Sequence, residues 1–149
     1  MNVEVFDSQR SLKVSKQRVA LLVEATLKFL KIKTDLISVY LVSKAKIKEI
    51  HSLLFQDPSL TDCITQPFDP PGAKKGHHFL GEVFICTAVA KDFAIKNGID
   101  PYEELTLYII HTLLHLSGLE DTTEEKAQKM RVAEKKVFEH LKSVEVSLK

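Results

Sequence analysis

Residues 36–42 read Leu36-Ile37-Ser38-Val39-Tyr40-Leu41-Val42, and this stretch decides the fold. Apart from Ser38 the run is apolar, and Ile37, Val39 and Val42 are β-branched. That is the composition of a strand buried on both faces, so layers of helix are expected on either side of it. Upstream, residues 2–6 (NVEVF) alternate as a short strand. Residues 14–31 then place Val19, Leu22, Val23, Leu27 and Leu30 at helical spacing, with Ser15 as the N-cap. Downstream, residues 44–54 return to helix, with Ile47, Ile50, Leu53 and Leu54 on one side.

Residues 62–68 and 79–86 read as two further strands, the second interrupted by Gly81, on either side of a turn-rich loop over 69–76. Three helices close the chain. The first covers 87–97 and stops at Asn97-Gly98. Asp100-Pro101 opens the second, which runs to about Ser117 and is ended by Gly118. A capping box of Thr122 and Glu125 opens the third, which runs to about Leu141. This order predicts an α+β fold: a single domain over 1–149, built on a mixed sheet of about four strands with helices packed on it.

With 149 residues, 44% hydrophobic and 28% charged, the chain can bury a core without staples, and its composition is that of a globular protein and not of a disordered one. No run of 18 apolar residues is present, so no membrane span is expected. The start Met1-Asn2-Val3-Glu4-Val5 lacks a basic leader followed by an apolar stretch, so no secretory signal is expected. Cys63 and Cys86 are too few for a disulfide framework or a four-cysteine zinc site, and they read as packed strand residues in a reducing cytoplasm. The net charge of +1 hides an asymmetry. Residues 1–54 carry ten Lys/Arg against five Asp/Glu, whereas 55–149 carry eleven against fifteen. A basic first half able to hold a polyanion would then adjoin an acidic half able to hold a cation. Lys44, Lys46 and Lys48 sit at the start of a helix, where the macrodipole does not favour cations, which suggests that they face an anion.

The chemistry concentrates in His111-Thr112-Leu113-Leu114-His115. Residues i and i+4 share a helix face with Cβ atoms about 5–6 Å apart, close enough for two imidazoles to converge on one ion. Gly118 lets the chain reverse, so Asp121 can return to the histidine face as a third ligand. Glu120 could take that role instead, and the distant His140 is the weakest alternative. Two neutral imidazoles and one carboxylate leave a divalent ion with an open position, the mark of a catalytic site. A zincin peptidase is disfavoured, because its H-E-x-x-H motif needs a glutamate where this chain has Thr112.

The run from His111 to Asp121, HTLLHLSGLED, resembles the signature H-G-x-L-H-L-x-G-Y-D-H of the YbeY family, bacterial metal-dependent endoribonucleases of ribosomal RNA maturation. His111, His115, Leu114, Leu116 and Gly118 match in place, and the family's third histidine falls on Asp121. The family's T-D-V-L-S-F-P strand resembles residues 61–67, its G-D-I resembles Gly81-Glu82-Val83, and its Glu-Leu pair matches Glu104-Leu105. Its E-x-x-x-x-x-M-x-x-x-E run resembles Glu124 through Met130 to Glu134. The chain departs from the signature at Thr112, at Leu119-Glu120, which stand where the family has a Tyr-Asp pair, and at Asp121, which replaces a histidine; the stretch Leu54-Phe55-Gln56-Asp57 also lacks the family's arginine.

The resemblance implies a metallohydrolase domain with one divalent ion, zinc first and manganese or iron next given Asp121, on a C-terminal helix. It implies a single-strand-specific endoribonuclease of 16S rRNA 3′ maturation and ribosome quality control in the cytoplasm. The expected partners are single-stranded RNA, small-subunit rRNA and the ribosome, with a small-subunit ribosomal protein and an assembly GTPase; neither membrane nor DNA is expected. His111, His115 and Asp121 would hold the ion, and Glu120 would move a proton or orient water. Lys44, Lys46 and Lys48 would track phosphates, joined by Lys74 and Lys75 in the loop that continues to His77-His78. The alternative from another class is a non-catalytic ribosome-assembly factor that binds immature small subunits around a structural metal.

Overall fold

The computed structural model describes residues 1–73 and 76–149, which leaves Lys74 and Lys75 outside the described residues. Four strands run as β1 (Asn2–Asp7), β2 (Leu36–Val42), β3 (Cys63–Pro67) and β4 (Phe79–Cys86). Five helices accompany them: α1 (Lys16–Phe29), α2 (Lys44–Phe55), α3 (Thr87–Asn97), α4 (Pro101–Leu116) and α5 (Glu124–Ser143). The sheet order is β1-β2-β4-β3, parallel except for β3, which pairs antiparallel with β4 and forms an edge. The expected mixed four-stranded sheet is therefore present.

The strand at 36–42 behaves as its composition requires. Ile37, Val39 and Leu41 enter the main core beneath α1, α4 and α5, together with Val83 and Ile85 of β4. Val42 points the other way, into a smaller core with Ile47 of α2, Ile64 and Cys86. On that second face Tyr40 stacks between Phe6 and Phe84, with ring centroids 4.8 and 4.7 Å apart, in register across three strands. Helix on one face and α2 on the other explain why both sides of β2 are apolar.

Capping fixes the helix starts. The Ser15 hydroxyl accepts from the Arg18 amide, and the Asp100 carboxylate accepts from the Tyr102 amide ahead of Pro101. One start is shifted: Thr123, not Thr122, caps α5, its hydroxyl accepting from the Lys126 amide at 3.2 Å. That register places Glu124 and Glu125 in the first turn, where the helix dipole favours acids, and it lets Lys126 reach back to Glu120. No helix among the described residues is long and apolar enough to cross a membrane.

Gly81 fixes how β4, β3 and α4 meet. A Cβ built there would lie 2.5 Å from the Gln66 carbonyl oxygen and 2.7 Å from Leu116 Cδ2. The interruption that Gly81 makes in an otherwise apolar strand is therefore the contact through which the end of α4 sits down on the sheet edge.

Candidate metal centre and its cleft

α4 is buried on most sides, with Leu105, Ile109, Ile110, Leu113 and Leu114 closed off from solvent. One stripe departs from this: Glu104, Tyr108, His111 and His115 follow one another at spacings of four, three and four, and so share a face. After Leu116 the chain turns at Gly118, whose φ of 108° suits a residue without a side chain. The turn swings the Leu119 carbonyl back to His115 Nδ1 at 2.9 Å and delivers Asp121 to both histidines. From α5, Glu134 Oε2 reaches His111 Nδ1 at 2.6 Å.

These partners settle the tautomers. A carbonyl only accepts, so His115 Nδ1 carries a proton, and an ionised Glu134 asks the same of His111. In the neutral rings both Nε2 atoms then present lone pairs, and they face each other at 3.0 Å. Two lone pairs so close repel unless a cation, a metal ion or the proton of an imidazolium, lies between them. Asp121 Oδ2 stands 3.6 Å from each Nε2 and completes the triangle. Four ligands held tetrahedrally at bonds of about 2.0–2.1 Å lie roughly 3.3–3.4 Å from one another, and the observed separations bracket that spacing. His111, His115 and Asp121 thus fit one small divalent ion, with Glu134 and the Leu119 carbonyl orienting the rings. The Glu134 hydrogen bond is the main reason that the His111 imidazole holds its proton more tightly than an ordinary histidine, with burial opposing it.

A cleft of about 610 Å3 opens onto the two histidines. Its walls are the edge strand β3 with Asp62 and Cys63, the end of α2 with His51 and Phe55, the segment from Pro67 through Phe68 to Pro71, and the turn from Gly118 to Glu120. Its described lining residues include acids and histidines but no lysine or arginine.

The other expected site residues fall in several places. Glu120 lines the cleft but is ion-paired with Lys126 at 2.7 Å, and that hydrogen bond holds its carboxyl below the usual range. Lys44 pairs with Asp92 at 2.5 Å and Lys46 with Glu49 at 3.5 Å, and Lys48 is exposed. All three are at the beginning of α2, whereas the cleft meets its end. His140 stacks on Phe29 with centroids 4.3 Å apart and is not part of the ligand group. His78 is corrected from a loop contact to a structural residue: it is only 7% exposed. Its Nδ1 bonds Thr34 at 2.7 Å and its Nε2 bonds the Pro70 carbonyl at 3.0 Å, so neither ring nitrogen is left for a ligand. The orienting role of Glu134 and the cleft positions of His51, Phe55 and Phe68 are findings of the structure. Only the match of Glu134 to a family motif hinted at the first.

A family model described as Endoribonuclease YbeY matches residues 4–142. The Endoribonuclease YbeY of Chlamydia felis is 39% identical over 137 residues, covering 90% of this chain and 87% of that protein. Its counterpart in Protochlamydia amoebophila is 34% identical over 147 residues, covering 99% and 97%. The solution structure of a Thermotoga maritima protein shares the fold with a TM-score of 0.63 at 21% identity, covering 95% of this chain and 93% of that one.

Proposed function

This chain belongs to the YbeY endoribonuclease family, and on that premise we propose that it is a metal-dependent endonuclease for single-stranded RNA. Its task is maturation of the 16S rRNA 3′ end and quality control of ribosomes in the cytoplasm, beside a small-subunit ribosomal protein and an assembly GTPase. The observation that carries the reading is the pair of Nε2 atoms facing each other at 3.0 Å with Asp121 at 3.6 Å from both.

A bound divalent ion would supply polarisation of a phosphoryl oxygen and acidify water toward neutrality. His111, His115 and Asp121 would hold it, and zinc suits two imidazoles and one carboxylate, with manganese or iron favoured next by the harder oxygen. Glu134 keeps the His111 ring in the tautomer that binds through Nε2. Glu120, anchored by Lys126, is a poor proton acceptor near neutrality, so its part at the cleft rim is to orient water. Lys44, Lys46 and Lys48 track the phosphate chain beyond the cleft.

The test is metal content by elemental mass spectrometry of wild type and Asp121→Ala, followed by cleavage of single- and double-stranded RNA by the loaded protein. About one ion per chain, depleted in the variant, with cutting of the single strand alone, supports the reading. Wild type that takes up neither zinc nor manganese overturns it. The absence of lysine and arginine from the described cleft lining favours one second reading, an assembly factor that binds immature small subunits without cutting. Normal rRNA processing in cells carrying a folded His115→Ala protein would select it.

A further inference from the structure

Phe68 is an exposed aromatic residue held rigidly at the mouth of the cleft. It follows β3 directly, is 54% exposed, and lines the same concavity as His111 and His115. One ring face packs parallel on Phe79, with centroids 4.6 Å apart and planes inclined by 13°. Its amide donates to the Leu80 carbonyl at 3.1 Å, and the neighbouring Asp69 amide donates to the Phe79 carbonyl at 2.8 Å. The ring is therefore fixed before any ligand arrives, with its second face toward solvent. The core gains little from an apolar face left in water. A planar partner would gain much, because the stack already formed with Phe79 would be extended by one member.

We propose that Phe68 is the platform on which one unpaired base of the RNA stacks, so that the phosphodiester beside it is presented to the metal ligands. This rests on the endoribonuclease reading above. The described cleft lining offers neither lysine nor arginine to grip phosphates, so stacking is the attraction available there besides the ion. Every base has a π-face, which makes the contact tolerant of sequence. A base within a duplex has both faces covered by its neighbours, so the same contact selects single strands. Edge strand β3 lines the cleft, and among the described residues its partner in the sheet is β4 alone.

The test uses zinc-loaded wild type, Phe68→Leu and Phe68→Trp. Leucine keeps apolar cover over Phe79 without a π-face, and tryptophan restores one. Binding of labelled single-stranded RNAs, intact or with one abasic position moved along the strand, is read by anisotropy, and cleavage of the same RNAs is measured alongside. Phe68→Leu should bind intact RNA about tenfold more weakly. Phe68→Trp should bind like wild type, and one abasic position should abolish the difference between wild type and Phe68→Leu. Equal affinity of wild type and Phe68→Leu for intact RNA, in a wild type that cuts it, overturns the stacking role and leaves the nuclease standing. A loss that persists at every abasic position also overturns it. Wild type that neither binds nor cuts any of the RNAs removes the nuclease reading and this inference together.

Discussion

Glu134 offers the sharpest test of how the metal centre is built. Its Oε2 lies 2.6 Å from His111 Nδ1, the length of a charge-assisted hydrogen bond, which is worth about 1.5–3 kcal/mol. Losing an orienting partner of this kind costs a metal site roughly 10–100-fold in affinity, or about 1.4–2.7 kcal/mol. Glu134→Gln keeps an acceptor for the Nδ1 proton and loses only the charge, so about tenfold is expected. Glu134→Ala loses both and should approach a hundredfold. Competition against a coloured zinc chelator at pH 7.5 reads these numbers. The difference between wild type and Glu134→Gln should narrow as the pH falls, because Glu134 strengthens the hold of His111 on a proton as well as on a metal. Unchanged affinity in both variants at pH 7.5, with the helical circular dichroism intact, would refute the assignment.

Three further outcomes are expected. Glu104 is 7% exposed, and burial chiefly raises its carboxyl above the usual 4.5, aided by Asp62 and Glu134 and opposed by its hydrogen bond from Tyr108. Folding is then favoured with Glu104 protonated, a contribution fully present below 4.5 and lost as the pH rises through the folded value. Glu104→Gln should accordingly raise the melting temperature at pH 7.5, by about 2–4 °C for each kcal/mol recovered, and the gain should shrink in acid; an equal gain at both pH values would contradict this. Gly81→Ala would place its Cβ 2.5 Å from a backbone oxygen that cannot swing aside, costing about 1–3 kcal/mol of stability; an unaltered melting curve would show that β3 can shift freely. Replacing Lys44, Lys46 and Lys48 together should weaken single-stranded RNA binding and reduce the salt slope by up to about 2, less to the extent that Lys44 stays engaged with Asp92; an unchanged slope removes them from the phosphate path.

Much of the architecture could be read from local sequence because local physics specifies it. The apolar run at 36–42 became a central strand, and the signals at Ser15, Asp100 and Gly98 became caps. Adjacent Thr122 and Thr123 offer equivalent hydroxyls, and Glu124 and Glu125 fall in the first turn from either one, so the local sequence leaves the register open by one residue. The ligand group was legible because its members lie within one helix and the turn that follows it. Glu134 lies 23 residues from His111 on another helix, and no periodicity links the two. The cleft was hidden for the same reason: His51, Phe55 and Phe68 become neighbours of the histidines only when α2 and β3 assemble around the sheet edge. His78 looked like a loop residue, and the long-range partners Thr34 and Pro70 turned it into part of the frame.

The candidate ligands span residues 111–121, and the carboxylate bonded to His111 follows at 134, so the whole candidate centre is written on one helix–turn–helix. Closing so short a loop costs little chain entropy, and most of it is already met when α4 and α5 pack. The centre is therefore close to portable. Its ligand spacing asks almost nothing of the sheet, and the sheet can change its cleft walls without disturbing the ligands. Substrate choice and metal capture can then diverge separately, the first along β3 and the end of α2, the second within a single hairpin of helices.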